Sequence, residues 1–219
     1  MLNITLIKKI MMAMTGLFLS FFLIVHLFGN LQLLLPEHQA QLQFNHYSHL
    51  LSGNILIKLV SYILYFSIIG HSVVALIITL KNNKSGGKYQ LDHRGRASKW
   101  ESRNMGFLGT VILIFLVIHL ANFWYVYKFG TIPEDSNGNK DLYIVVKEVF
   151  SSGWYVAAYI LSAVALGYHL RHGVYSAVRT LGLFHPKYVG YLKTIGLIYT
   201  YAITIGFAVI PIYVYLTQQ

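Results

Sequence analysis

The sequence predicts an all-α membrane protein, a bundle of five transmembrane helices with a cytoplasmic N-terminus, and three observations carry that expectation. Of its 219 residues, 56% are hydrophobic and only 11% charged, a balance foreign to soluble domains. The apolar residues gather into five stretches, each long enough to cross a hydrocarbon core of about 30 Å, which needs roughly 20 helical residues. Lysine and arginine, 17 in all against 7 acidic residues, fall mainly in the segments on one side of those stretches.

The spans are expected from Ile10 to Leu35, Asn54 to Leu80, Asn104 to Lys128, Phe150 to Thr180 and Leu192 to Leu216, forming one domain over residues 1–219. Lys8 and Lys9 ahead of the first run imitate a signal peptide. The run is too long for a cleaved apolar region and has no small-residue cleavage site, so it reads as a retained helix. Between the first two spans, residues 35–53 mix leucines with aromatic and polar residues, the composition of a short interfacial helix. Residues 81–103 form a basic, glycine-containing loop suited to anionic lipid or a docked partner. Gly70, Gly109, Gly167 and Gly206 lie within spans, where small residues let helices approach, and Pro211 near the end of the last span is a candidate kink.

With the N-terminus placed in the cytoplasm, 13 of the 17 basic residues lie inside and only Lys58, Lys128, Lys140 and Lys147 outside. The formal charge of +10 therefore reports topology and calls for no nucleic acid. Tyrosine and tryptophan cluster at span ends, as in Trp124, Tyr127, Trp154 and Tyr213, in the manner of an interfacial belt. Cysteine is absent, which excludes disulfides, thiolate zinc sites and protein-ligated iron–sulfur clusters within the chain.

Four of the ten histidines, His26, His71, His119 and His169, lie well inside the first four spans, one in each. A histidine in hydrocarbon needs a partner, either an interhelical hydrogen bond or a metal. His26 and His119 stand 17 and 16 residues from the basic edge of their spans, about 25 Å at 1.5 Å per residue. His71 and His169 stand 10 residues from that edge, roughly 15 Å. Two pairs matched in depth are what two bis-histidine sites require. A bare zinc or copper ion usually takes more protein ligands, whereas haem brings four equatorial nitrogens and asks only for two axial imidazoles. The residues thus favour a dihaem cytochrome. Gly29, Gly70 and Gly167, close in sequence to three of these histidines, either clear space beside a porphyrin or serve ordinary helix packing.

The opening KKIMMAMTGLFLSFFLIVHLFGNL, the second-span IIGHSVVALI, the third-span SRNMGFLGTVILIFLVIHLANFW and YHLRHGVYSAVRTLGLFHPKY together resemble one family over the whole chain. That family is the single-chain, five-helix, dihaem cytochrome b subunit of succinate:quinone oxidoreductases, which include succinate dehydrogenase (respiratory complex II, of the tricarboxylic acid cycle) and fumarate reductase. The resemblance implies two haem b groups. His71 and His169 would ligate the proximal one, near a cytoplasmic iron–sulfur subunit, and His26 and His119 the distal one. It implies further partners, an FAD flavoprotein and membrane lipids, and a quinone, with menaquinone the family's usual carrier, in a bacterial inner membrane. Dicarboxylate chemistry would belong to the flavoprotein.

For the quinone site the candidates near the outer pair are Asn30, Glu37, Phe44, Asn45, His46, Tyr47 and His49, because quinone chemistry needs hydrogen bonds and proton donors. A polar loop with no ligand is the competing reading for each. For proximal haem propionates or a partner contact they are His172, Arg171, Arg179 and Trp100. One departure stands out. Some dihaem fumarate reductases carry a glutamate two residues before the fourth ligand, and here that position is Gly167, so no transmembrane proton pathway of that kind is expected and the physiological direction stays open. The competing classes are the haem anchor of another respiratory or hydrogenase-type complex, and a transporter or haem-free anchor. The spans hold no carboxylate for ion coupling, and no inverted repeat is evident.

Overall fold

The computed structural model describes residues 4–85 and 99–218. The expectations for residues 86–98, the greater part of the basic loop with His93, lie outside the described residues. In chain order the elements are α1 (Ile4–Asn30), a 3₁₀ turn (Leu31–Leu34), α2 (Glu37–Gly53), α3 (Ile55–Ser85), the single turn α4 (Trp100–Arg103), α5 (Met105–Phe129), α6 (Leu142–Phe150), α7 (Gly153–Thr180) and α8 (Val189–Thr217). Among the described residues there is no strand, only an isolated bridge between Glu134 and Lys140.

α1, α3, α5, α7 and α8 are long and apolar enough to cross a membrane. At 1.5 Å per residue, the 25-residue α5 spans about 38 Å, comfortably more than the hydrocarbon core. The interfacial helix expected over 35–53 forms as α2, started by Pro36, whose fixed φ suits a helix entrance. The expected fourth span begins three residues later than Phe150, at Gly153, and Phe150 instead ends a separate short helix, Leu142–Phe150. Pro211 remains inside a continuous α8 and is fully buried.

The chain crosses back and forth, so the bundle has a basic end, carrying Lys8, Lys9, Lys81, Arg103, Arg171 and Arg179, and an acidic end, carrying Glu37, Asp135, Asp141 and Glu148. α1 packs on α3, α3 on α5, α5 on α7 and α7 back on α1, which closes a ring of four helices; α8 lies outside it against α7 and α1. Of the spans α7 is the most enclosed, with 39% of its apolar window buried against 6% in α1. The outward faces of α1, α3 and α5 are apolar and exposed, the surface a lipid-facing helix presents.

A buried cluster including Leu33, Phe44, Tyr143, Phe150, Tyr159 and Ile210 closes the acidic end, and a polar clamp locks it. Asn45 is fully buried; its Nδ2 donates to Oδ1 of Asp141 at 2.8 Å and to Oδ2 of Asp135 at 3.2 Å, and its Oδ1 accepts from the backbone N–H of Tyr143 at 3.0 Å. Gln41 donates to the other oxygen of Asp141. Asp141 caps α6 through the N–H of Ile144. One α2 side chain thus fixes the start of α6. Asn45→Leu leaves buried Asp141 and the Tyr143 N–H short of partners, at about 1–3 kcal/mol each. A fall of several degrees in the thermal midpoint in detergent is expected, and an unchanged midpoint would show the clamp to be dispensable.

Candidate functional site

The ring of four helices brings its histidines together across its diagonals. α1 and α5 pack on common neighbours rather than on each other, and His26 and His119 meet between them with ring centroids 5.7 Å apart. α3 and α7 form the other diagonal, where His71 and His169 meet at 6.2 Å. The depth pairing expected from sequence is the pairing of the fold.

The two pairs also share one register. On α1, Gly16 precedes His26 by ten residues, and a Cβ there would stand 3.3 Å from Cε1 of His71. On α5, Gly109 precedes His119 by ten residues, and a Cβ there would stand 3.9 Å from Cε1 of His169. Each helix that supplies an outer histidine therefore presents a glycine to an inner ring, and ten helical residues separate the two levels by about 15 Å. The glycines next to the histidines in sequence serve other purposes. Gly29 admits the Tyr47 ring and Gly167 admits Thr204, while Gly70 faces open space.

Around the outer pair the walls are aromatic. Phe22 stacks on His26 at 5.3 Å, Phe207 lies at 5.6 Å, and Phe115, Phe123 and Tyr159 surround His119 within 6.0 Å. The π-helical segment Leu120–Tyr125, which follows His119 directly, carries Phe123 into this shell; widened turns of this kind recur at functional sites. The Tyr159 hydroxyl reaches Nδ1 of His119 at 3.5 Å, and the Asn30 amide lies 3.4 Å from Nδ1 of His26.

At the inner pair the polar contacts define a tautomer. Thr15 uses its hydroxyl hydrogen on the carbonyl of Met11 at 2.7 Å, so its oxygen, 3.1 Å from Nδ1 of His71, accepts from that nitrogen. That contact suits the tautomer with the proton on Nδ1 and the Nε2 lone pair free, the arrangement that orients a metal-binding imidazole. Nδ1 of His169 is buried with no partner, a costly condition for a ring nitrogen that binds nothing.

The remaining predicted residues separate. At the basic end Trp100 packs on Tyr168, and Arg171 pairs with Glu101 at 3.5 Å. His172 lies one turn beyond His169 within electrostatic reach of Glu101, and Arg179 lies two further turns along α7. Glu101 is 6% exposed, so the loop expected to be solvated sends a carboxylate into the bundle margin. At the acidic end the seven candidates do not form one site. Asn30 touches His26, and Tyr47 covers Gly29, where burial pushes its phenol above the ordinary value. Glu37 pairs with Lys147, whose hydrogen bond holds its carboxyl below the usual range. Phe44 belongs to the core, Asn45 is committed to the clamp, and His46 and His49 are exposed. Thr15, Gly16, Gly109 and Tyr159 were not among the predicted residues, although the repeated glycine-to-histidine interval of ten is present in the sequence.

Among the described residues no three His, Cys, Asp or Glu side chains converge as a metal site. Each pair offers two imidazoles, and two imidazoles bound to one metal from opposite sides at about 2 Å place their ring centroids roughly 6 Å apart. The 5.7 and 6.2 Å separations, the Thr15 contact at Nδ1 of His71 and the glycine beside each inner ring fit two imidazoles on opposite faces of a flat prosthetic group. No family model, curated protein or solved structure matches the chain. Gly16→Leu is expected to displace the His71 ring and weaken metal binding at the inner pair roughly tenfold, leaving the outer pair occupied. Metal content per purified chain checks this, and full content in the variant would contradict the cradle.

Proposed function

We propose that this chain is the haem-bearing membrane subunit of a succinate:quinone oxidoreductase, carrying electrons between an iron–sulfur subunit and a membrane quinone. The carrying observation is the pair of histidine couples, set on the two diagonals of one four-helix ring at two levels. The span order and the quoted sequence stretches give the reading its particular enzyme. Its N-terminus is assigned to the cytoplasm on the distribution of lysine and arginine, and the membrane to a bacterial inner membrane on the family resemblance, so the basic end faces the flavoprotein and iron–sulfur subunits.

When bound, haem b supplies reversible one-electron transfer. The chain's residues prepare two places for it. His71 and His169 would hold the proximal iron, with Thr15 orienting the His71 ring through Nδ1. His26 and His119 would hold the distal iron among the aromatic side chains Phe22, Phe115 and Phe123. Arg171, His172 and Trp100 stand at the basic end, where they would donate hydrogen bonds to propionates, and Glu101 pairs with Arg171. Arg179, further along α7, suits a partner subunit better than a propionate.

Quinone reduction consumes two electrons and two protons and needs a hydrogen-bond donor at each carbonyl. Asn30, beside His26, and Tyr47, over Gly29, supply an amide and a phenol. Glu37 and His46 are exposed at the same end, Glu37 in its ion pair with Lys147. Menaquinone is the carrier this reading assigns.

A reduced-minus-oxidised spectrum and a pyridine haem assay on the purified chain test the proposal. Two haem b per chain is the expected result, with a flavoprotein and an iron–sulfur protein retained when the complex is isolated gently. Absence of haem b would overturn it, and retention of a hydrogenase instead would keep the cytochrome and reassign the enzyme.

A further inference from the structure

The positive-inside pattern leaves four lysines on the acidic side of the sequence, and three of them converge. Lys58 at the start of α3, Lys128 at the end of α5 and Lys140 from the loop before α6 line a cavity of about 450 Å³, together with His49, Ser52, Tyr127, Glu134 and Gly138. Glu134 is the single carboxylate in the lining, so the lysines outnumber it. Lys140 is anchored, donating to the carbonyl of Tyr127 at 2.9 Å and lying over that residue's ring. The Ser52 hydroxyl meets the Tyr127 hydroxyl at 3.0 Å and joins α2 to the same wall. Lys58 and Lys128 are exposed and, among the described residues, neither has a carboxylate within ion-pair distance.

What lies on the membrane side of this cavity selects the ligand. Tyr62 stands one turn beyond Lys58 on α3, and Trp124 one turn before Lys128 on α5; residues four apart share a helix face. Tyr62 contacts Tyr65, Tyr65 contacts Trp124, and Trp124 contacts Phe129, each with ring centroids between 5.8 and 6.4 Å. Tyr62 and Phe129 are 62% and 68% exposed. Two of the cup's lysines, Lys58 and Lys128, thus lie one helical turn from Tyr62 and Trp124, members of an aromatic ladder that bridges α3 and α5. A free anion would use the cup alone, whereas an anionic phospholipid uses both, its phosphate among the ammonium groups and its acyl chains along the rings.

We infer that this cup is a headgroup site for an anionic phospholipid, held at the α3–α5 seam. The site is independent of the histidine pairs and of any group bound there. Three lysines kept at an end that is otherwise acidic thereby receive a role, and the lipid seals the seam between two helices that pack on each other only lightly compared with α7 and α8.

The full-length chain, purified in a neutral detergent and mixed with equal phosphatidylglycerol and phosphatidylcholine of the same acyl chains, tests this by native mass spectrometry. Wild type is expected to retain phosphatidylglycerol selectively, and Lys58→Gln/Lys128→Gln to retain roughly thirty-fold less of it with phosphatidylcholine unchanged. Lys58→Arg/Lys128→Arg keeps the charge and is expected to keep the lipid, and a thermal melt of each variant confirms that both are folded. Equal retention of the two lipids by wild type, or undiminished phosphatidylglycerol in the glutamine variant, would overturn the site. Displacement of the lipid by inorganic phosphate would overturn it too, because the cup would then hold a free anion.

Discussion

A histidine side chain inside an apolar bundle has to satisfy its ring nitrogens there, since no water is available to do so. Four such side chains sit in this chain, and the fold answers the demand by closing four helices into a ring and aiming one histidine inward from each. Because the partners lie on diagonals, the space they share is the axis of the bundle and not a contact between packed neighbours. Diagonal placement has a second consequence: neighbouring helices alternate in depth of histidine, so the levels form without crowding. Glycine at the facing position of α1 and α5 then leaves room for the inner rings, and aromatic side chains fill the space around the outer ones.

The two ends of the bundle are built differently, and the difference follows from what each must do. The acidic end is closed by apolar packing of α2 and α6 over the ring and by the Asn45 clamp, with Asn30 beside His26 and Tyr47 over Gly29. Its closure explains why most of the polar residues there are committed to one another. At the basic end Arg171, Glu101, His172 and Trp100 gather within one turn of the inner pair, at the margin where a soluble subunit of the proposed complex would dock.

Much of this was legible in the chain itself, for reasons that are physical. Span length and charge asymmetry are one-dimensional quantities, so five helices and their ends could be read directly, and depth along a helix scales with residue number, so His26 paired with His119 and His71 with His169. Which side chains meet across helices is not one-dimensional. Asn45 looked like a ligand-binding amide, but its three hydrogen bonds reach residues ninety or more positions away and no local pattern announces them. Glu101 stood in a loop of lysines and arginines and turned inward to Arg171. Gly29, Gly70 and Gly167 drew attention by lying near histidines in sequence, whereas the glycines that face the inner rings, Gly16 and Gly109, belong to other helices.

The central claim is that the histidines act as two diagonal pairs, and the most direct measurement is low-temperature spectroscopy of the four single variants His26→Ala, His71→Ala, His119→Ala and His169→Ala. The account predicts that they sort two and two. Loss of one haem signal is shared by the α1 and α5 variants, and loss of the other by the α3 and α7 variants. Any other sorting, such as His26→Ala and His71→Ala removing the same signal, or no signal lost in any variant, would contradict it.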